Sequence, residues 1–430
     1  MSLAEAGAAL LAALVGDRPR LISVEVPPDP RAWQAWWGAE LPSAPEATLC
    51  LPRDGRRLWG RGVAAALPAS ANDEGVRQLW ADWALVGDPA PAPELFAALP
   101  FDPSAPIGPP WTAFGQGGLI LPRWSWVEQG GRAWLRLACR RPAADAAQAR
   151  QEWEILSRAG ARVVRPPAAP PHVDTIDENE WHDQIAITLR AIETGALKKL
   201  VVARKASYFL PTPVQDTSAL SRLRASQPGC TVFGLRTGGA TFLGATPERL
   251  VLRQGPEVET DALAGTGADP AALRESAKDR WEHQLVVDSI TGALTPLCER
   301  LDWAAPEVVQ LRDLCHLRTP IRGLLKGDTS ALALARALHP TPAVGGVPRS
   351  TALAMIRGLE RAPRGLYAGP VGWIDQRGDG ALWVALRSGV LEGSTLSLFA
   401  GVGVVAGSDA AAELAETIRK LAAMEAAFSP

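Results

Sequence analysis

Polar and apolar positions change period along the chain, and the changes mark elements. In DENEWHDQIAITLRAIETGAL, Trp181, Ile185, Leu189 and Ile192 recur at helical spacing, with acidic residues in the first turn and Gly195 near the end, which predicts a helix. KKLVVARKASYFL reads as a buried strand. TVFGLRTGGATFLGATPERLVLR reads as a hairpin turning at Gly238-Gly239, and WSWVEQGGRAWLRLAC as another turning at Gly130-Gly131. RESAKDRWEHQLVVDSITGALTPLCERL reads as one long helix with Val286, Ile290, Leu294 and Leu297 on a stripe. ALWVALRSGVLEGSTLSLFAGVGVV gives two strands before a closing helix. Helices and strands mix without a strict βαβ rhythm, so the expected class is mixed α/β: a large, mostly antiparallel sheet system with helices outside. RPPAAPPHVDT, at 165–175, is rich in proline and marks an expected boundary. It divides the chain into a tryptophan-rich scaffold part, 1–165, and a chemistry-bearing region, 166–430.

Composition narrows the function classes. A net charge of -2 offers no basic field for nucleic acid or anionic lipid. Five widely spaced cysteines without a CxxC argue for reduced thiols in a cytoplasmic protein rather than a thiolate zinc site. The apolar start MSLAEAGAALLAALVGDRPR lacks a preceding basic residue and is too short to span a bilayer, so a short surface-packed helix ending near Gly16 is expected.

The closing segment AGVGVVAGSDAAAELAETIRKLAAM carries Glu413, Glu416 and Lys420. At 100° per residue, Glu416 and Lys420 lie about 60° and about 20° from Glu413. They form one stripe beside an apolar one of Leu414, Ile418 and Leu421. The plain alternative is a solvated i, i+4 pair worth about 0.3 kcal/mol. A second helix weakens that alternative: in AKDRWEHQL, Asp279 and Glu282 are also three apart. Two such carboxylate pairs can form an oxygen-rich site for a hard cation such as Mg²⁺, which keeps waters and lets an anionic substrate complete its shell. His283 points elsewhere on that helix and reads as structural. The glycines 401, 403 and 407 do not have the spacing of a dinucleotide fingerprint; close backbone approach to an anion fits better. Lys199 enters an apolar strand, where desolvation favours the neutral amine, a candidate base. Glu248, in the loop GATPERL, is a candidate protonated acid. Arg387, inside the apolar run WVALRSG, needs an anionic partner.

Across roughly 175–425 the chain resembles the chorismate-utilising enzymes, which include isochorismate, salicylate, anthranilate and aminodeoxychorismate synthases. Nine ordered motifs carry the resemblance: KLVVAR, GATPERL, ALAGT, SAKDRWEH, LCHLRTPIRG, LHPTPAVGGVPR, YAGPVGWID, WVALRSG and AGVGVVAGSDAAAELAETIRK. The resemblance implies a single large α/β domain of two packed sheets and a Mg²⁺-dependent reaction on chorismate. It implies Glu282 and Glu416 as metal ligands, with Asp279 and Glu413 acting through water. Arg387, Lys420, Gly401 and the Ala264-Gly265-Thr266 loop would hold carboxylates, with His316 lining the ring site. The closing motif reads AGVGVV where many members have AGAGIV, and its SDAAAE turn lacks the usual proline.

Within the group, Lys199 matches the water-activating lysine of the isochorismate and salicylate enzymes. Ala264 stands where aminodeoxychorismate synthases carry a nucleophilic lysine. No glutamine amidotransferase partner is expected. LHPTPAVGGVPR, with Ala343, looks most like isochorismate synthases, and the long first part more like their menaquinone type. The implied activity is reversible conversion of chorismate to isochorismate. Lys199 would activate a water that attacks C2, and Glu248 would protonate the departing C4 hydroxyl. A salicylate synthase, which goes on to eliminate pyruvate, is the alternative within the group. A dinucleotide-dependent oxidoreductase and a non-catalytic binding module are the alternatives outside it.

Overall fold

The computed structural model describes residues 1–429 except 30, 42–45, 53–54, 89–90, 161–171, 174–177, 212–213, 268 and 312–313. The expected boundary at 165–175 lies largely outside the described residues.

The described strands form one hydrogen-bonded network that divides at Gly118–Gln129. One edge of this strand pairs with Arg57–Pro68; the other pairs first with Glu94–Ala98 and then with Arg132–Cys139. From the first side the ladder runs through Ala47–Leu51, Thr231–Thr237, Ala240–Thr246, Ser388–Glu392 and Thr395–Val404 to Lys199–Phe209. From Glu94–Ala98 a second ladder runs through Pro370–Asp375, Gly380–Val384, Arg249–Gln254 and Glu257–Gly267 to Leu314–Leu325. Every pairing is antiparallel except Arg20–Val26 with Ala84–Gly87. The two ladders pack face to face. Phe233 and Phe242 of the first share a core with Val251, Trp373 and Leu382 of the second.

On the outer face of the first ladder, the tryptophans of the first part bury under helices. Trp33, Trp36 and Trp37 belong to Ala32–Gly38, and Trp153 to Pro142–Arg158. Trp59 stacks on Trp126 and Trp124 on Trp153, at ring-centroid distances of 5.8 and 5.1 Å. The N-terminal helix Leu3–Ala12 carries a Ser2–Glu5 capping box and buries Ala6 and Leu10. No described helix is long and apolar enough to cross a membrane.

Both glycine-glycine hairpins form, with φ positive at Gly130, Gly131, Gly238 and Gly239, as a tight antiparallel turn requires. Three readings change. The single long helix is two, Pro270–Glu275 and Ala277–Leu294. Ser276 adopts extended backbone between them and caps the second by accepting from the Asp279 N–H. Pro296 then ends the helical run, and Cys298–Trp303 is a strand. The apolar run from Ala381 to Val405 holds three strands rather than two, because Arg387 at φ 45° breaks the chain between Gly380–Val384 and Ser388–Glu392. Finally, Ile418 is 49% exposed, whereas Thr417 and Glu413 are buried with Leu414 and Leu421. The acidic stripe of the last helix therefore belongs to its inward face, because a polar cavity lies there.

Candidate active site

A cavity of ≈ 250 Å³ opens between strand ends of the two ladders and the helices Ala277–Leu294 and Ala410–Glu425. Glu248 occupies the two-residue link between Ala240–Thr246 and Arg249–Gln254. Its main-chain N–H lies 3.3 Å from Thr246 Oγ1, and its carbonyl accepts from Val384 N–H at 2.9 Å. Both ends of the link are thus pinned. The side chain is 5% exposed. Burial pushes its carboxyl up to about 8, against the opposing fields of Lys199 and Lys420. At neutral pH Glu248 is a protonated acid.

Lys199, the first residue of its strand, is fully buried. Its Nζ lies 2.8 Å from Glu282 Oε1. The two are not aligned for a hydrogen bond, so the contact is an ion pair that leaves Nζ without an aligned acceptor. Lys199 stands just behind the cavity wall; every other residue predicted for the site lines the cavity.

Asp279 and Glu282 face Glu413 and Glu416 across the two helices. Asp409 caps the last helix by accepting from Ala412 N–H at 2.9 Å, which fixes its start without the proline absent from the turn. Lys278 Nζ holds Glu413 at 2.8 Å, and Lys420 Nζ holds Glu416 at 2.7 Å and the Gly401 carbonyl at 2.8 Å. Burial would raise Glu416, but Lys420 beside it keeps its carboxyl below the usual range. Asp279 moves the other way. Burial raises it, and the charges of Glu282 and Glu416 add to the shift.

The glycines serve this cluster. A Cβ on Gly403 would stand 2.2 Å from Glu282 Oε1 and 2.9 Å from Lys199 Cε, so only glycine leaves room for that ion pair. Gly265, at φ 74°, is the extra residue of a bulge between Ala264 and Thr266 and packs against Asp279. Thr266 Oγ1 lies 3.2 Å from His316 Nδ1. Burial, reinforced by Arg387 and Lys420, pushes His316 down to about 3, so the ring is neutral. Ala343 borders the cavity from the loop after Ala331–Leu338. His283 does not reach the cavity; it is buried with Nε2 2.8 Å from Thr319 Oγ1, in keeping with a structural role.

An anionic partner is expected for Arg387. Among the described residues it meets no carboxylate; its Nη1 reaches Cys230 Sγ at 3.7 Å. Among the described residues, it and Ala368, at φ 59°, are the two non-glycine residues with positive φ, and both line the cavity. Backbone strain of this kind concentrates at functional sites.

Sequence reasoning passed over Lys278, Arg364, Tyr367 and Arg419, which also line the cavity. Tyr367 stacks on Phe399 at 5.2 Å. Arg364 donates to Glu360 and to the Val201 and Val344 carbonyls, tying the Lys199 strand to the loop that holds Ala343. The signal for Lys278 was present beside Asp279, since a lysine next to paired carboxylates can neutralise one of them.

The donors suit a hard divalent cation. All four carboxylates line one cavity, and burial, with Glu282 and Glu416 adding to it, pushes Asp279 up against the opposing field of Lys278. Among the described residues, no three His, Cys, Asp or Glu side chains converge closely enough to enclose a metal alone. Such a cation would need water or substrate oxygens to complete its shell.

The family described as "Chorismate binding enzyme" matches residues 63–429. The chain is 36% identical to the salicylate biosynthesis isochorismate synthase of Pseudomonas aeruginosa, over 96% of this chain and 91% of the relative. It is 33% identical to isochorismate synthase MenF of Bacillus subtilis, over 79% of this chain and 75% of the relative. The solved structure of MenF, the menaquinone-specific isochorismate synthase of Escherichia coli, superposes with a TM-score of 0.84 at 27% identity, covering 100% of both chains. The chain belongs to the chorismate binding enzyme family.

Proposed function

We propose that this protein is an isochorismate synthase that converts chorismate reversibly to isochorismate by adding water at C2 and expelling the C4 hydroxyl. The observation that carries the reading is Glu248: a carboxyl buried in the cavity and protonated at neutral pH, with the fully buried Lys199 near enough to interact with it. A leaving hydroxide needs a proton donor, and an attacking water needs a proton acceptor. The reaction requires both in one cavity. In its neutral form Lys199 takes the proton from the water as it bonds to C2, the ring double bonds shift, and Glu248 gives its proton to the departing C4 oxygen, which leaves as water.

Chorismate carries two carboxylates. Arg387, which has no carboxylate partner among the described residues, and Lys420 supply cations for one of them, with N–H groups of the Ala264-Gly265-Thr266 bulge and the Gly401 backbone nearby. Neutral His316 lines the ring. Glu282 and Glu416 would hold Mg²⁺, with Asp279 and Glu413 reaching it through water. Bound there, the ion supplies a fixed positive charge against the other substrate carboxylate. The five free, buried thiols fit a reducing compartment, and we place the reaction in the cytoplasm.

The test is product identification by chromatography after incubating purified protein with chorismate and Mg²⁺. The reading expects isochorismate, formed with Mg²⁺ and lost on chelation. Salicylate with pyruvate as the main product would instead make the chain a salicylate synthase. No turnover together with nicotinamide binding would mark an oxidoreductase.

The role of Gly403 gives a second prediction. Gly403→Ala pushes Glu282 and Lys199 out of place, and displacements near 1 Å cost roughly 100-fold in rate. Turnover should fall by about that factor while the far-ultraviolet dichroism spectrum is retained. Wild-type turnover in Gly403→Ala would mean that the Lys199–Glu282 pair does not set the reacting geometry.

A further inference from the structure

Four of the five cations that line the cavity are tied to other groups. Lys278 is held by Glu413, Lys420 by Glu416, Arg364 by Glu360, and Arg387 contacts Cys230. Arg419 differs: it lines the cavity, is exposed to solvent, and makes no hydrogen bond or ion pair to any described residue. Its place on the last helix explains this. Ala412, Glu416 and Arg419 stand at i, i+4 and i+7 and descend one edge of the helix, and all three line the cavity. The neighbouring Ile418 is half exposed, so this edge faces the mouth rather than the interior.

A dianionic substrate meets an electrostatic obstacle here. The chain is weakly negative overall, and the four charged carboxylates of the cavity equal in number Lys278, Arg364, Arg387 and Lys420, so Arg419 is the one lining cation in excess. Charges farther than about 8 Å are largely screened at physiological salt, so a cation at the entrance acts on an approaching substrate before those deeper in the cavity do. We propose that Arg419 is a substrate-capture residue. It engages a carboxylate of the incoming dicarboxylate at the mouth, before that group passes to Arg387 and Lys420. This proposal rests on the reading of the cavity as a chorismate site. A charge at the rim sets the rate of association and its salt dependence more than the chemistry inside.

The experiment is stopped-flow association of chorismate, followed by protein fluorescence at low and physiological salt, for wild type, Arg419→Gln and Arg419→Lys, with steady-state kinetics on the same proteins. Arg419→Gln should slow association roughly three- to tenfold at low salt and flatten its dependence on ionic strength. The value of kcat/KM should fall in step while kcat at saturation holds, and Arg419→Lys should restore the salt dependence. Wild-type association and salt slope in Arg419→Gln, or an equal fall in kcat and kcat/KM, would overturn the capture role. Failure of the wild type to bind chorismate at all would instead overturn the functional reading on which it rests.

Discussion

Replacing Glu248 with glutamine should abolish turnover and at the same time stabilise the protein. The amide keeps the shape of the neutral acid but has no proton to release at neutral pH, so the leaving hydroxyl loses its donor. Removing a general acid costs roughly 100- to 10,000-fold. The stability effect follows from the same burial. The folded carboxyl is raised from 4.5 to about 8, so the unfolded chain gives up its proton first as pH rises. Below the unfolded value both states are protonated and the group costs nothing. Between that value and about 8 stability falls with increasing pH, and the penalty at pH 7 is on the order of a few kcal/mol. Glu248→Gln removes it. Thermal melts of the two proteins across this range should therefore diverge as pH rises, with the variant the more stable above pH 5. Wild-type activity should also decline as pH passes through about 8. A variant that melts below wild type at pH 7, or keeps its turnover, would show that Glu248 is not held as a buried acid.

Lys199→Ala should lose turnover as completely while chorismate still binds. The base disappears, but Arg387 and Lys420 lie on other elements and keep their positions, since Lys420 is anchored by Glu416 and the Gly401 carbonyl. The variant should thus separate catalysis from affinity. Calorimetry should find chorismate bound with a Kd within about tenfold of the wild-type value, and kcat should drop by at least about 100-fold. Retained turnover would mean that another group activates the water. Lost binding would mean that the Lys199–Glu282 ion pair, 2.8 Å long, organises the site rather than the reaction.

Much of this site was legible in the chain because its chemistry sits in local patterns. The i, i+3 carboxylates of two helices and the residue linking two strands at Glu248 are periodic or turn features that a single sequence carries. What the pattern could not show is which face of a helix meets a polar cavity. Ile418 was assigned to the buried stripe by period alone, yet it is exposed and Thr417 is buried, because the inward face of that helix accommodates Glu413 and the Gly401 strand. The break at Arg387 was likewise hidden: WVALRSG is apolar enough to read as one strand, and only long-range pairing shows that the arginine takes positive φ between two. Arg364 was missed for a related reason. Besides Glu360, four residues back, its partners are main-chain carbonyls at 201 and 344, and no spacing rule joins residues so far apart. The hairpin at Gly130-Gly131 in the tryptophan-rich first part was legible, but Trp33, Trp36, Trp37 and Trp153 lie on helices, and their packing on the outer face depends on contacts across the whole chain.

The central claim is that a lysine-activated water, and not the migrating C4 hydroxyl, becomes the C2 oxygen of the product. Turnover of chorismate with Mg²⁺ in ¹⁸O-labelled water, followed by mass spectrometry of the isochorismate, tests this directly. One labelled oxygen, at C2, is the predicted result. Isochorismate carrying no label would contradict the account.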